Sequence, residues 1–441
     1  MTQTSLLTQS VRGFSEDVVR ELSRLKEEPD WLLERRLAAW QSYQATPMPT
    51  LSDEDWRRTD ISDIPFAELL PYRPATEIPG EIAAPASSEA SAGHLIQHDS
   101  DAVSSSLNDA ARESGLLFCS LDEAVRQHPE LIRAYLLGEA FPPSRGKFAA
   151  LNAAMFSGGT FLYVPKGVEI SLPLQSTTWL SSPSLALFPH TLVVVEPGAQ
   201  VTLIEEFQSS SLDAPSLLCP GVEVYLQPSA RLHYVAIQQM STDVYVLGTH
   251  RTHLGNDSRL DYLAVGLGGR LTKQYIDVLL QGDGSTARLL GVVLGDGDQH
   301  FDYQTLQEHS GANGTSDLLF KVAVKDQAMS VHYGMVHVRK SGRGTNAGQT
   351  VRNLILSDGA KAHPILPLEI EASDIRRCAH AAAIGQIDEN QMFYLQSRGL
   401  SRRQAEKLVV DGFFEGVMAK IPLPRVQEQL RASIDSKLPA D

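Results

Sequence analysis

Only three cysteines occur in 441 residues, Cys119, Cys219 and Cys378. An odd number spaced so widely excludes a disulfide framework and a CxxC zinc site. It fits a reducing compartment. Positive charge is also scarce: 38 Lys and Arg stand against 53 Asp and Glu, a net charge of -15. Phosphate backbones require clustered cations, so no nucleic-acid partner is expected. The balance favours solubility and attraction to a basic partner. No apolar run is long enough to span a bilayer, so no membrane partner is expected. The stretch MTQTSLLTQSVRGFSEDVV lacks a cationic start followed by an apolar run, so no secretory signal is expected and the cytoplasm is the expected location. Catalytic motifs are missing too. There is no GxSxG, no HExxH and no GxGxxG after a strand. GEAFPPSRGKF holds a Gly-Lys but not GxxxxGK[ST], so the chain has no nucleotide-binding loop of its own. GDGDQHFD (Gly295–Asp302) lacks the sixth-position glycine and final glutamate of a calcium loop. A non-catalytic protein is the expectation.

The rest is an ordinary globular balance, 42% apolar and 21% charged, organised in three regions. Residues 1–145 read as helical segments with a Pro-rich linker. Val18, Leu22 and Leu25, then Trp31, Leu32, Leu37 and Trp40, recur at helical spacing on either side of Pro29. YRPATEIPGEIAAPASSEASAG reads as the linker. Ser120 with Glu123 forms a capping box that opens a helical hairpin ending near Gly138. Residues 146–378 change character. Short β-rich runs such as Val201–Glu206, Leu232–Ile237, Leu289–Leu294 and Leu318–Val324 follow one another between Gly, Asn, Asp, Ser and Pro. No helix-period segment separates them, which argues against a doubly wound sheet. A sandwich, a propeller or a β-solenoid fits, and no strict repeat chooses among them. Residues 379–441 turn helical again, with Asp388–Gln391 and Ser401–Gln404 as capping boxes. Ala405, Leu408, Val409, Gly412, Phe413, Gly416, Val417 and Ile421 fall on one helical face. Pro422 and Pro424 end that helix, and a short helix over Arg425–Ser433 follows.

Cys378 and His380 are the candidate metal ligands. Residues i and i+2 of an extended segment face one way, about 7 Å apart. Thiolate and imidazole suit iron, copper or zinc. The other reading is a buried cysteine beside a hydrogen-bonded histidine. Two ligands cannot close a site, because an iron–sulfur cluster takes about four. Any metal site here therefore draws its remaining ligands from elsewhere, such as a second subunit. His250 and His253 read as surface histidines, and His332 and His337, five apart in a strand pattern, point to opposite faces. Phe413, Phe414, Val417 and Met418 form an apolar stretch of FFEGVMAKI. It reads either as a partner-docking helix or as packing on the chain's own β-core.

PLEIEASDIRRCAHAAAIGQIDENQMFYLQSRGLS resembles the signature of the SufB/SufD family, scaffolds of the SUF iron–sulfur assembly system. EEPDWLLERRLAAW, FAALNAAMFSGGTFLYVPKGVEISLPL, TLVVVEPGAQVTLIEE and HYGMVHVRKSGRGTNAGQTVRNLILSDGAKA resemble further family motifs in the family's order. Within the family the chain is more similar to SufD. Lys361 stands near the place of a SufB cysteine, and CAHAAA replaces SufB's glutamate-rich version. The resemblance implies a right-handed parallel β-helix core with helical segments at both ends. It implies a SufB-type partner and a SufC-type ABC ATPase docking near Ser401–Ile421, with a homodimer as the other assembly. It assigns His380 to transient iron or a nascent cluster shared with the partner subunit, with Cys378 a second candidate. His380-Ala381-Ala382-Ala383 departs from the usual His-Gly-Ala-Thr, which bears on the local backbone and on a hydroxyl contact. The alternatives are a stand-alone β-helix carbohydrate-active enzyme and a structural homo-oligomer without metal chemistry.

Overall fold

The computed structural model describes residues 11–75, 77, 78, 80, 82, 91–421 and 423–438. Much of the Pro-rich linker, and Pro422, lie outside the described residues.

Among the described residues the strands alternate between two sheets, one of ten strands and one of twelve, and wind into a β-solenoid of about 8 turns. A typical coil gives one strand to the first sheet and one or two to the second, and lies parallel on the coil before it. Arg259 stacks on Arg231, Thr286 on Arg259, Thr315 on Thr286 and Asn346 on Thr315. Those steps differ in length while the strand register holds. The turns absorb the differences, so the sequence shows no strict repeat.

Strand alternation fills the interior. Leu232 and Tyr234 stack under Leu260 and Tyr262, which stack under Ala287 and Leu289. The next residues along each strand, Val235, Leu263 and Leu290, face outward, yet they are buried as well. Both faces of this first sheet are therefore apolar, as its near-continuous hydrophobic runs require. The C-terminal helices Arg402–Met418 and Pro424–Lys437 cover its outer face. The N-terminal helices Glu16–Leu25, Asp30–Ala45 and Lys147–Met155 cover the second sheet, packing Leu22, Leu32 and Phe148 with Leu192, Val194 and Leu247.

The solenoid extends beyond 146–378 at both ends. Gly93–His98 already pairs in parallel with Leu174–Leu180, and the last strand, Ile375–Gln386, continues past Cys378. Its run of alanines reads as helical by propensity. Pairing along Thr345–Ile355 overrides that.

Ser120 caps Leu121–Gln127, and Ser401 with Gln404 makes a full capping box. Asp388 caps its helix through Asn390 N–H, without the reciprocal bond expected from Gln391. The buried stripe of Arg402–Met418 is Ala405, Val410, Phe414, Val417 and Met418, not the expected set. Leu408 is exposed, and Gly412, one turn on, also faces open space. His250 is not at the surface. It points into the solenoid between the rings of Tyr234 and Tyr262, 4.8 and 4.7 Å away. Burial pushes its pKa down to about 3, so it is neutral. His253, on the opposite face of the strand, is half-buried. His332 faces the interior and His337 the outside.

Phe414 is 1% exposed and sits at the centre of the contact between the C-terminal helices and the first sheet. Phe414→Ala is expected to cost about 3–5 kcal/mol, the range for removing a buried aromatic. Chemical denaturation followed by circular dichroism measures it. A loss under about 1 kcal/mol would contradict tight packing of this helix.

Candidate functional site

The strand Ile375–Gln386 ends its sheet. It pairs on one side only, with Thr345–Ile355, and its other edge has no strand beside it among the described residues. Cys378 lies opposite Ala347 and His380 opposite Gln349. Ala347, Gln349 and Val351 are buried on the inner face, so Cys378, His380 and Ala382 continue those inner columns. The structure therefore brings the two candidate ligands to one face, at the end of the solenoid.

Their environments differ. Cys378 is half-buried against a small apolar group of Val336, Val338, Ala347 and Ala372. Burial raises its thiol pKa above the ordinary value. The His380 ring is exposed, and its Nδ1 bonds to the carbonyl oxygen of Leu366. A carbonyl can only accept, so Nδ1 donates this bond, and in the neutral ring Nε2 keeps its lone pair. An imidazole fixed through its other nitrogen in this way is prepared for a metal. The site offers one such nitrogen, with one protonated thiol beside it.

The convergent group of three metal-type donors among the described residues lies elsewhere. His337, Glu369 and Glu371 meet on the outer face of the second sheet. His337 Nε2 lies 2.8 Å from Glu371 and 3.8 Å from Glu369. Arg339 pairs with Glu308 at 2.7 Å and approaches Glu371 at 3.6 Å, so the group forms an ionic network. Sequence reasoning missed it. The alternating glutamates of Leu368-Glu369-Ile370-Glu371 were the available signal.

Phe414, Val417 and Met418 are buried on the chain's own first sheet, and Phe413 is half-buried there. Lys321 donates to the Phe413 carbonyl and stands 5.1 Å from its ring. The apolar side chains this region does expose are others: Phe393 (73%), Tyr394 (56%) and Leu408 (51%). The first two belong to the helix Glu389–Ser397, which packs beside Arg402–Met418.

The family described as SUF system FeS cluster assembly, SufBD core domain, matches residues 178–413. The SufBD protein N-terminal region matches residues 92–176. The chain belongs to the SufBD family. Its similarity to curated members runs nearly end to end. It is 30% identical over 438 residues to the iron–sulfur cluster assembly SufBD family protein of Staphylococcus haemolyticus. The same identity and span relate it to those of Staphylococcus epidermidis and Staphylococcus saprophyticus. Each alignment covers 96% of this chain and 92% of the relative. The SufBD N-terminal match begins one residue before the first solenoid strand, at Gly93. The SufBD core match includes the whole strand that carries Cys378 and His380. The protein is thus an iron–sulfur cluster assembly protein by family, and among its described residues no helix is long and apolar enough to cross a membrane.

Burial raises all three thiol pKa values, that of Cys119 to about 12 and that of the fully buried Cys219 further. A raised pKa means less thiolate at neutral pH and slower alkylation. Iodoacetamide is therefore expected to modify Cys378 first, yet more slowly than a free thiol, with a rate that climbs through pH 9. Peptide mapping by mass spectrometry measures this. A Cys378 rate equal to a free thiol at pH 7 would contradict it.

Proposed function

We propose that this protein is a SufD-like scaffold subunit of a SufB–SufC–SufD-type complex. In it His380 supplies one ligand to iron or to a nascent iron–sulfur cluster, and the partner subunit completes the set. The observation that carries this reading is half a ligand set on an unpaired edge strand. Such an edge presents a row of free backbone amides and carbonyls to another strand. From Cys378 to Gln386 it has neither lysine nor proline to block pairing, and Ile384 is 55% exposed. A SufB-type strand laid along it brings the partner's side chains next to His380. Cys378 is a weaker ligand, since its raised pKa keeps the thiol protonated until a metal displaces the proton.

The chain itself is non-catalytic in this reading, and ATP chemistry belongs to a SufC-type ATPase. Phe393, Tyr394 and Leu408 are an apolar surface on which such a partner could dock. Phe413, Phe414, Val417 and Met418 lie beneath that surface, where they couple the helix to the sheet instead of meeting the partner. Motion of the ATPase then reaches the edge strand through a packed helix. Three free cysteines fit work in the reducing cytoplasm.

Two variants test this in the anaerobically purified complex. His380→Ala is expected to leave the complex assembled and to slow cluster formation about tenfold or more, since even outer-shell metal defects cost that much. Assay of bound iron and sulfide with ATP measures it, and an unchanged rate refutes the role. Ile384→Lys is expected to weaken subunit association by at least about tenfold, through a charge placed on the pairing edge. Analytical ultracentrifugation reads the affinity. If this variant breaks a dimer of the chain itself, and binding of the SufB-type subunit is unaffected, the edge serves a second copy instead.

A further inference from the structure

Strand register brings His337, Glu369 and Glu371 together. His337 stands in the second sheet between Glu308 on one neighbouring strand and Glu369 on the other. Glu371 follows Glu369 by two residues, and its backbone N–H donates to the Val338 carbonyl at 2.8 Å. That bond extends the pairing with Met329–Val338 one residue past the strand Leu368–Ile370. All three side chains therefore project from hydrogen-bonded backbone, which holds donors more accurately than loops do.

The donor atoms match the reach of a single ion. Imidazole and carboxylate ligands bind zinc at about 2.0–2.2 Å, so two ligands on one ion stand about 3–4 Å apart. His337 Nε2 lies 2.8 Å from Glu371 and 3.8 Å from Glu369, and the three donor atoms all lie within 4.8 Å of one another. The Glu369 side chain is 57% exposed, so it has room to turn inward by the remaining distance.

The imidazole is supported from behind. Its Nδ1 faces the Glu308 carboxylate at 3.9 Å, the order of groups in a carboxylate–histidine–metal series. Arg339, bonded to Glu308 at 2.7 Å, holds that carboxylate in place. Carboxylate oxygens only accept, so Nε2 now donates to Glu371. That bond keeps the Glu371 carboxyl below its ordinary pKa and hence ionised at neutral pH. A metal on Nε2 takes the place of this proton, and the neutral ring then carries its proton on Nδ1, toward Glu308. Three carboxylates surround one imidazole here, with Arg339 and Lys340 as the nearby cations. An ion shared by Glu369 and Glu371 relieves their mutual repulsion.

We propose that His337, Glu369 and Glu371 bind a divalent transition-metal ion, with Glu308 as the carboxylate behind the imidazole. One nitrogen and two carboxylates suit zinc or ferrous iron, with solvent in the remaining positions. All three ligands belong to this chain, so the site depends neither on His380 nor on a partner subunit.

The test titrates the full chain with Zn2+ by isothermal calorimetry, in excess Mg2+ to occupy sites built from oxygen alone. The wild type is expected to bind an ion at this site, and the double variant Cys378→Ala/His380→Ala is expected to keep it. His337→Ala and Glu371→Gln are each expected to weaken binding at least about tenfold, and Glu308→Gln about tenfold. Melting followed by circular dichroism establishes that each variant is folded. If His337→Ala is not, Glu369→Gln, at an exposed side chain, decides with the same expected loss. Wild-type affinity in His337→Ala and Glu369→Gln would overturn the site, as would no Zn2+ binding by the wild type. Binding lost in the double variant and unchanged in His337→Ala would place the ion at the edge strand and also overturn it.

Discussion

Parallel backbone pairing between successive coils is the constraint on which the structure depends. Every inner coil has a coil above and a coil below, so its amides and carbonyls are satisfied on both sides. The end coils have only one neighbour, and the two ends differ. At the N-terminal end the antiparallel strands Asp101–Leu107 and Leu117–Ser120 close the two sheets. The helices Leu121–Gln127 and Pro129–Tyr135 follow directly. At the C-terminal end Ile375–Gln386 has no strand on its far edge among the described residues, and the candidate ligands sit on it. The position of the site is thus a consequence of where the stack stops.

The two helical regions depend on the same stack. A solenoid sheet that is apolar on both faces needs an outer cover, and each region covers one sheet. Polar anchors fix the docking. His190 bonds Asn152 at 2.7 Å and Glu223 at 3.1 Å with no exposure, tying Lys147–Met155 to the second sheet. Arg145 makes a two-point contact with Asp277 farther along the same sheet. At the far side Lys437 donates to the carbonyls of Leu267 and Leu294 and to Gln299. Charged groups buried this way are held by specific partners, and removing one leaves the other uncompensated. The C-terminal helices are therefore fastened to the sheet that ends in the candidate site.

Much of this was readable beforehand because it depends on local chemistry. Strand alternation, turn residues, the Ser120 and Ser401 caps and the shortage of ligands around Cys378 and His380 all follow from neighbours in sequence. The family motifs named a solenoid that the pattern alone left open. Other features were not readable. HRTH looked like surface sequence, yet the register of Val244–Leu254 turns His250 into the interior between two tyrosines. The apolar stretch Phe413–Met418 looked equally like a docking face, and packing against Val235, Leu263 and Leu290 decided otherwise.

The sequence by itself determined the β-rich class of the core, the helical character of both flanking regions, and the presence of an incomplete soft-metal pair. These are properties of composition and short-range periodicity. Only the tertiary structure decided that the pair lies on a strand edge left unpaired among the described residues, that Nδ1 of His380 is held by the Leu366 carbonyl, and that Gln349 stands beside it on the neighbouring coil. Those residues are far apart along the chain and meet because coils of unequal length are held in register by backbone hydrogen bonds. A coil's length is set by its turns, and the turns carry no local signal of what they will bring together.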